Sequence, residues 1–224
     1  MTATRSERDI LARIRAARAG DPEAARSRMA EHPRGTIPAM ARPATHAAAL
    51  ALFRRKAEAA GATLAEVQTL RDVPDAVAEF LRGNGLPPML RSGRIDPAMD
   101  WKEAGLAILP GAAEGADMTG LSEAFRGIAE TGTLMLISRP ETPTSINFLP
   151  ENHIVLLRAG DIVGCFEEAW DALRAAFGEG IMPRAVNWIT GPSRTADIEQ
   201  TLVMGAHGPR RLHILLLDEE DTGR

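Results

Sequence analysis

The sequence predicts an α/β domain: a mostly parallel sheet flanked by helices, preceded by an N-terminal helical extension. Three observations predict it. Short apolar runs the length of buried strands recur from residue 62 onward, each bounded by Gly, Pro or polar residues. Segments with apolar residues at helical spacing lie between many of them, an alternation that favours parallel strands covered on both faces. The 45% apolar and 25% charged composition, over 224 residues, is enough to bury one sizeable core.

Along the chain, Ile10, Leu11, Ile14 and Ala17 share one face, which predicts an amphipathic helix over 5–19. Gly20-Asp21-Pro22 ends it, and a short polar helix follows to about Ala30. Glu31 to Thr45 holds Pro33, Pro38, Pro43 and Gly35, so it reads as a linker or a strap over the main body. The predicted division is therefore an extension over 1–45 and an α/β domain over 46–224. His46 to Ala60 is a helix, Ala62 to Val67 a strand, and Pro74 to Arg82 a helix ended by Gly83. Strands are predicted at Pro88 to Arg91, Leu106 to Leu109, Leu134 to Ile137 and His153 to Arg158. Asp161 to Phe177 is a helix presenting Phe166, Ala169, Trp170, Leu173 and Phe177. Val186 to Ile189 then reads as a strand, Ser193 to Met204 as a helix, Leu212 to Leu217 as a terminal strand.

Composition excludes several functions. A net charge of −4 gives no basic footprint for nucleic acid. Cys165 is the single cysteine, so neither an internal disulfide nor a thiolate-held iron–sulfur cluster can come from this chain alone. The five histidines, at 32, 46, 153, 207 and 213, show no metal-ligand spacing, so no metal site is expected. No run is long enough to span a bilayer and the first twenty residues lack a signal-peptide core, which predicts a cytoplasmic protein.

Two polar segments sit where apolar runs meet turns. In Ala129-Glu130-Thr131-Gly132-Thr133, Gly132 suits a positive φ and the threonines suit local bonding. Glu130, set among apolar residues, is either paired with a cation, Arg194 being the candidate, or serves as acid, base or nucleophile. In Gly191-Pro192-Ser193-Arg194-Thr195-Ala196-Asp197-Ile198-Glu199, Ser193 suits a helix cap, and Asp197 and Glu199 suit the positive end of a helix. Arg194 does not, unless an anion satisfies it. These hydroxyls, N–H groups and guanidinium together suit a carboxylate or phosphate. His207, in the loop Gly205-Ala206-His207-Gly208-Pro209, is a further site candidate.

These two segments, with Leu149-Pro150-Glu151-Asn152-His153-Ile154 and Gly205 to Pro209, resemble the lactate utilization protein C family of LUD-domain proteins over about His46 to Leu217. The resemblance implies a fold akin to the ribose-5-phosphate isomerase, glucosamine-6-phosphate deaminase and CoA-transferase group. It also implies a role in bacterial oxidation of L-lactate to pyruvate beside iron–sulfur partner proteins, with no cofactor held by this chain alone. Some CoA-transferase relatives use a glutamate nucleophile; the Thr-Gly-Thr that follows Glu130 does not match their motif, so that role is not carried over. The expected site is an anion-binding cleft with Glu130 as the catalytic candidate. Thr131, Gly132, Thr133, Gly191, Ser193, Arg194, Thr195, Asp197 and His207 are its expected ligand-binding residues. The alternatives are a non-catalytic assembly subunit, its motifs serving as caps, and an independent sugar-phosphate or CoA-ester enzyme of the same fold.

Overall fold

The computed structural model describes residues 9–10, 12–13, 21–31, 35–178, 180–196, 202–204 and 208–218. The chain divides into two compact units, residues 1–37 and 38–224. In the first, helix α1 (Pro22–Glu31) starts at a proline whose fixed φ suits a first turn, and the Asp21 carboxylate accepts from the Glu23 N–H at 2.9 Å. This is the expected polar helix. The helix expected over 5–19 lies mainly outside the described residues.

In the second unit, α2 (His46–Ala59) begins where Thr45 accepts from the Ala48 N–H, and it buries Ala49, Phe53 and Ala57 on one face. Strand β1 (Thr63–Val67) follows, then α3 (Val73–Gly83), led by a capping box between Thr69 and Asp72. Next come β2 (Met89–Ser92), β3 (Ala107–Pro110) and β4 (Thr119–Glu123). Strands β5 (Arg126–Ile128) and β6 (Thr133–Ile137) form a hairpin, followed by β7 (Asn152–Arg158), β8 (Ile162–Val163) and α4 (Phe166–Phe177). The described chain continues through β9 (Val186–Ile189), β10 (Arg194–Ala196), β11 (Leu202–Met204) and β12 (Arg211–Leu217).

Six strands make one sheet in the order β1-β12-β7-β4-β2-β3, and every neighbouring pair is parallel. Alternate residues of its central strands divide between two cores. Val155, Leu157, Leu212, Ile214 and Leu216 meet α2 and the inner residues Leu134 and Leu136 of β6. Ile154, Leu156, Leu215 and Leu217 meet α3. Strands β8-β5-β6-β9 form a second, mainly antiparallel sheet, whose outer residues Met135 and Ile137 pack on Ala169 and Leu173 of α4. Part of the Pro-rich segment lies on this unit: Ala41 is fully buried, its carbonyl pressed against Gly164.

Three local expectations are corrected, and two strands had not been expected. The strands at 134–137 and 186–189 belong to the second sheet, because the turn at Gly132 (φ 69°) reverses the chain. Strands β4 and β5 carry too little apolar pattern to be read from sequence. The helix expected from Asp161 starts at Phe166, after a 3₁₀ turn and β8. The helix expected over Ser193 to Met204 is absent, since Arg194–Ala196 and Leu202–Met204 pair as an antiparallel hairpin, Thr195 opposite Val203. These segments hold the β-branched Thr195 and Val203, a residue type that favours strands over helical turns.

Candidate functional site

The Glu130 segment is the turn between β5 and β6. Its backbone is held by bonds from Glu130 N–H to the Gly164 carbonyl (3.0 Å) and from Gly132 N–H to the Ile128 carbonyl (2.9 Å). The Glu130 carboxylate accepts from the Phe166 N–H at 3.1 Å, which places its charge at the N-terminus of α4, where unpaired N–H groups and the helix dipole favour it. Among the described residues Glu130 makes no ion pair with Arg194.

A chain of hydroxyls joins the two sequence motifs. Thr131 Oγ1 lies 2.7 Å from Thr133 Oγ1, which lies 2.7 Å from Thr190 Oγ1 at the end of β9. The antiparallel pairing of Leu134 with Ile189 dictates that approach. Both motifs also close on the end of α2. A Cβ at Gly132 would overlap the backbone of Lys56 and Ala57, and one at Gly191 (φ 68°) the carbonyl of Ala60. The Arg194 guanidinium is exposed and lies over Gly61, just past the C-terminus of α2. It therefore meets the negative end of a helix, not the positive end that a helix beginning at Ser193 would have supplied.

Beyond the hydroxyl chain lies a cleft of ≈ 210 Å³ lined by Asn147, Phe148, His153, Trp188 to Ser193, Gly208, Pro209 and Leu212. The Ser193 N–H donates to the Pro209 carbonyl at 2.8 Å, which ties the Gly191 segment to the Gly208-Pro209 loop. The Arg210 N–H donates to the Glu151 carbonyl at 2.7 Å and adds the Leu149 to Ile154 run to the same assembly. Three of the four sequence motifs thus line one cleft, and the fourth is bonded to it through Thr133.

His153 is the most unusual group in the wall. It is fully buried, and its Nε2 lies 2.5 Å from Ser122 Oγ. Its Nδ1 has no hydrogen-bond partner among the described residues. Burial pushes its pKa down to about 3, so the ring is neutral near pH 7. His213, on the opposite face of the sheet, stacks on Phe80 with ring centroids 4.3 Å apart and is pushed down to about 4 by burial.

Of the expected site residues, Gly191 and Ser193 line the cleft, and Thr133 and Thr131 support it. Gly132 packs on α2, Glu130 caps α4, and Arg194 and Thr195 enter β10 beside it. Asp197 and His207 lie outside the described residues. Ser122 was not reached from sequence, and His153 only as a member of a motif, because the contact between them depends on β4 pairing with β7. Among the described residues no group of three His, Cys, Asp or Glu side chains could hold a metal ion. No helix among them is long and apolar enough to cross a membrane.

Comparisons with known proteins agree with this architecture. An uncharacterized protein of Neisseria meningitidis serogroup B is 45% identical over 98 residues, 44% of this chain and 41% of that protein. Lactate utilization protein C of Bacillus subtilis strain 168 is 37% identical over 93 residues, 41% of this chain and 39% of its own. The protein of the same name from Shouchella clausii is 36% identical over 93 residues, 42% and 41% of the two chains. The matched segment spans about two fifths of these curated relatives. The crystal structure of a DUF162 family protein from Deinococcus radiodurans superposes with a TM-score of 0.60 at 25% identity, covering 78% of this chain and 99% of that one. The LUD domain family model matches residues 50–217, the part of the chain that carries both sheets and the cleft, and the chain belongs to that family.

Proposed function

We propose that this chain is a ligand-binding component of a bacterial lactate-oxidation system and acts beside partner proteins that carry the iron–sulfur centres. The observation that carries the reading is the convergence of the family motifs on the cleft of His153 and Ser193. Its ligand is a small carboxylate. The Ser193 hydroxyl and the guanidinium of Arg194 at the rim are the donors for the carboxylate group. His153, neutral and with one ring nitrogen unpaired, offers a single hydrogen bond whose direction depends on how Ser122 shares its proton. A hydroxy acid satisfies either tautomer, whereas a keto group satisfies only the donating one. The buried Cys165, the only cysteine, supports leaving electron transfer to partners.

Calorimetric titration of the full-length chain with L-lactate and with pyruvate tests this. Saturable binding, weakened several-fold in Ser193→Ala and Arg194→Ala, supports it; no saturable binding of either acid, or no change in both variants, overturns it. A non-catalytic assembly role is the second reading, favoured by one observation: Gly132 and Gly191 are both consumed in packing on α2. Phe148 (41% exposed) and Leu149 (53% exposed), at and beside the cleft wall, would then be a partner's contact. Loss of partner capture in Leu149→Ser, with no acid binding in the wild type, would favour that role.

A further inference from the structure

Strands β2 and β4 are neighbours in the parallel sheet, yet their connections run apart, β2 to β3 on one side and β4 onward to β7 on the other. Such a divergence opens a crevice at the carboxyl ends of the two strands, the position where open parallel sheets bind ligands. Here the crevice lies between Arg94, just after β2, Glu123 at the end of β4 and Arg158 at the end of β7. It adjoins a depression of ≈ 330 Å³ bordered by Arg94, Glu123, Arg139 and Glu141. Gly93 is pressed against the Glu141 carbonyl and the Pro143 ring, which fixes the covering loop.

The arginines there are underused. Arg158, with a side chain only 16% exposed, meets Glu123 through Nε at 3.4 Å. Arg94 reaches Glu123 and Asp96 at 3.4 Å each. Charge-assisted N–H···O⁻ bonds settle near 2.7–2.9 Å, and a guanidinium favours two parallel bonds to one acceptor group. The terminal nitrogens of Arg158 have no hydrogen-bond partner among the described residues and remain open to solvent.

We propose that this switch-point crevice is a second binding site, separate from the motif cleft, and that it takes an oxyanion, a carboxylate or a phosphate group, held by Arg158 and Arg94. Glu123 occupies part of their donor capacity until the ligand arrives. Titration of the full-length protein at low ionic strength with inorganic phosphate is the test. Saturable binding, weakened at least tenfold by Arg158→Gln and by Arg94→Ala and strengthened by Glu123→Gln, is expected, with Arg194→Ala leaving it unchanged. If Arg158→Gln fails to fold by circular dichroism, the half-exposed Arg94→Ala and Glu123→Gln carry the test. No saturable binding, binding unaltered by the Arg94 and Glu123 variants, or binding lost only in Arg194→Ala overturns it; the last outcome assigns the anion to the motif cleft instead.

Discussion

Acidification from pH 7.5 to pH 5 probes the two buried imidazoles. His153 and His213 are held at about 3 and about 4, against an ordinary 6.5, because burial disfavours the imidazolium. The folded chain keeps both neutral, while the unfolded chain protonates them. The loss of stability therefore begins as the pH falls through about 6.5 and grows until it approaches the folded values. At pH 5 linkage gives about 2 kcal/mol for each ring, hence about 4 kcal/mol together, a large share of an ordinary domain's ~5–15 kcal/mol. Asp117 lies outside this window. Burial raises its pKa, the Arg91 hydrogen bond and the Glu114 N–H lower it, and the net shift is downward, so its contribution fades only below the ordinary 3.8. Urea unfolding followed by circular dichroism at pH 7.5, 6.5, 5.5 and 5.0 measures the effect. His213→Leu removes one ring, so its own loss between pH 7.5 and 5 should be about 2 kcal/mol. Comparing each variant with itself cancels the lost contact with Thr63 Oγ1. A wild-type change under ~1 kcal/mol, or equal pH dependence in both proteins, would refute the reasoning.

Three substitutions probe the site's framework. Gly132→Ala places a Cβ against the backbone of Lys56 and Ala57 at a φ of 69°. The left-handed conformation costs about 1–2 kcal/mol and the overpacking about 1–3 more, so the urea midpoint should fall sharply; an unchanged midpoint contradicts the packing. Glu130→Ala removes the acceptor for the Phe166 N–H and should cost about 1 kcal/mol, with Glu130→Gln recovering part of it; equal stability of all three proteins would deny the cap. Ser122→Ala leaves both ring nitrogens of His153 unpaired in the interior, a loss of about 1–3 kcal/mol measurable by the same unfolding assay, and no loss would mean that the ring finds another partner.

What could be read from the sequence was set by how local the governing physics is. The helix faces of Ala49, Phe53 and Ala57 and of Ala169 and Leu173 follow the helical period, and the runs within 152–158 and 211–217 are apolar on both faces. Those elements were legible. Strand β4 was not, because its small residues answer to neighbours in space. Gly120 leaves room for Ile146 and Pro150, and Ser122 meets His153. The sheet membership of 134–137 was hidden for a different reason. A strand buried between α2 on one face and α4 on the other has the same apolar composition whether its partners run parallel or antiparallel. At the site, the hydroxyls of Thr133 and Ser193 were found from their positions in turns, whereas the Ser122–His153 contact required the register of β4 on β7.

Arg194 shows how one change of element redirects a functional argument. Read as the start of a helix, the segment places a cation at a positive helix end and so demands an anion. With a hairpin there, the guanidinium instead sits beyond the C-terminus of α2, where such a contact is worth about 0.3–1 kcal/mol in its favour. Being exposed, Arg194 can turn its donors toward a ligand at the cleft rim, but nothing compels it to. The described lining of that cleft, from Asn147 to Leu212, carries no acidic or permanently charged basic side chain, so binding inside it depends on hydrogen bonds from Ser193 and His153, with Arg194 adding its charge from the exposed rim. The electrostatic demand falls instead on Arg158, which is mostly buried against one long contact with Glu123. Ionic strength therefore separates the two ends of the sheet's central strands. Screening weakens the contact of the exposed Arg194 with an acid at the motif cleft more than that of the mostly buried Arg158 with an oxyanion at the switch point.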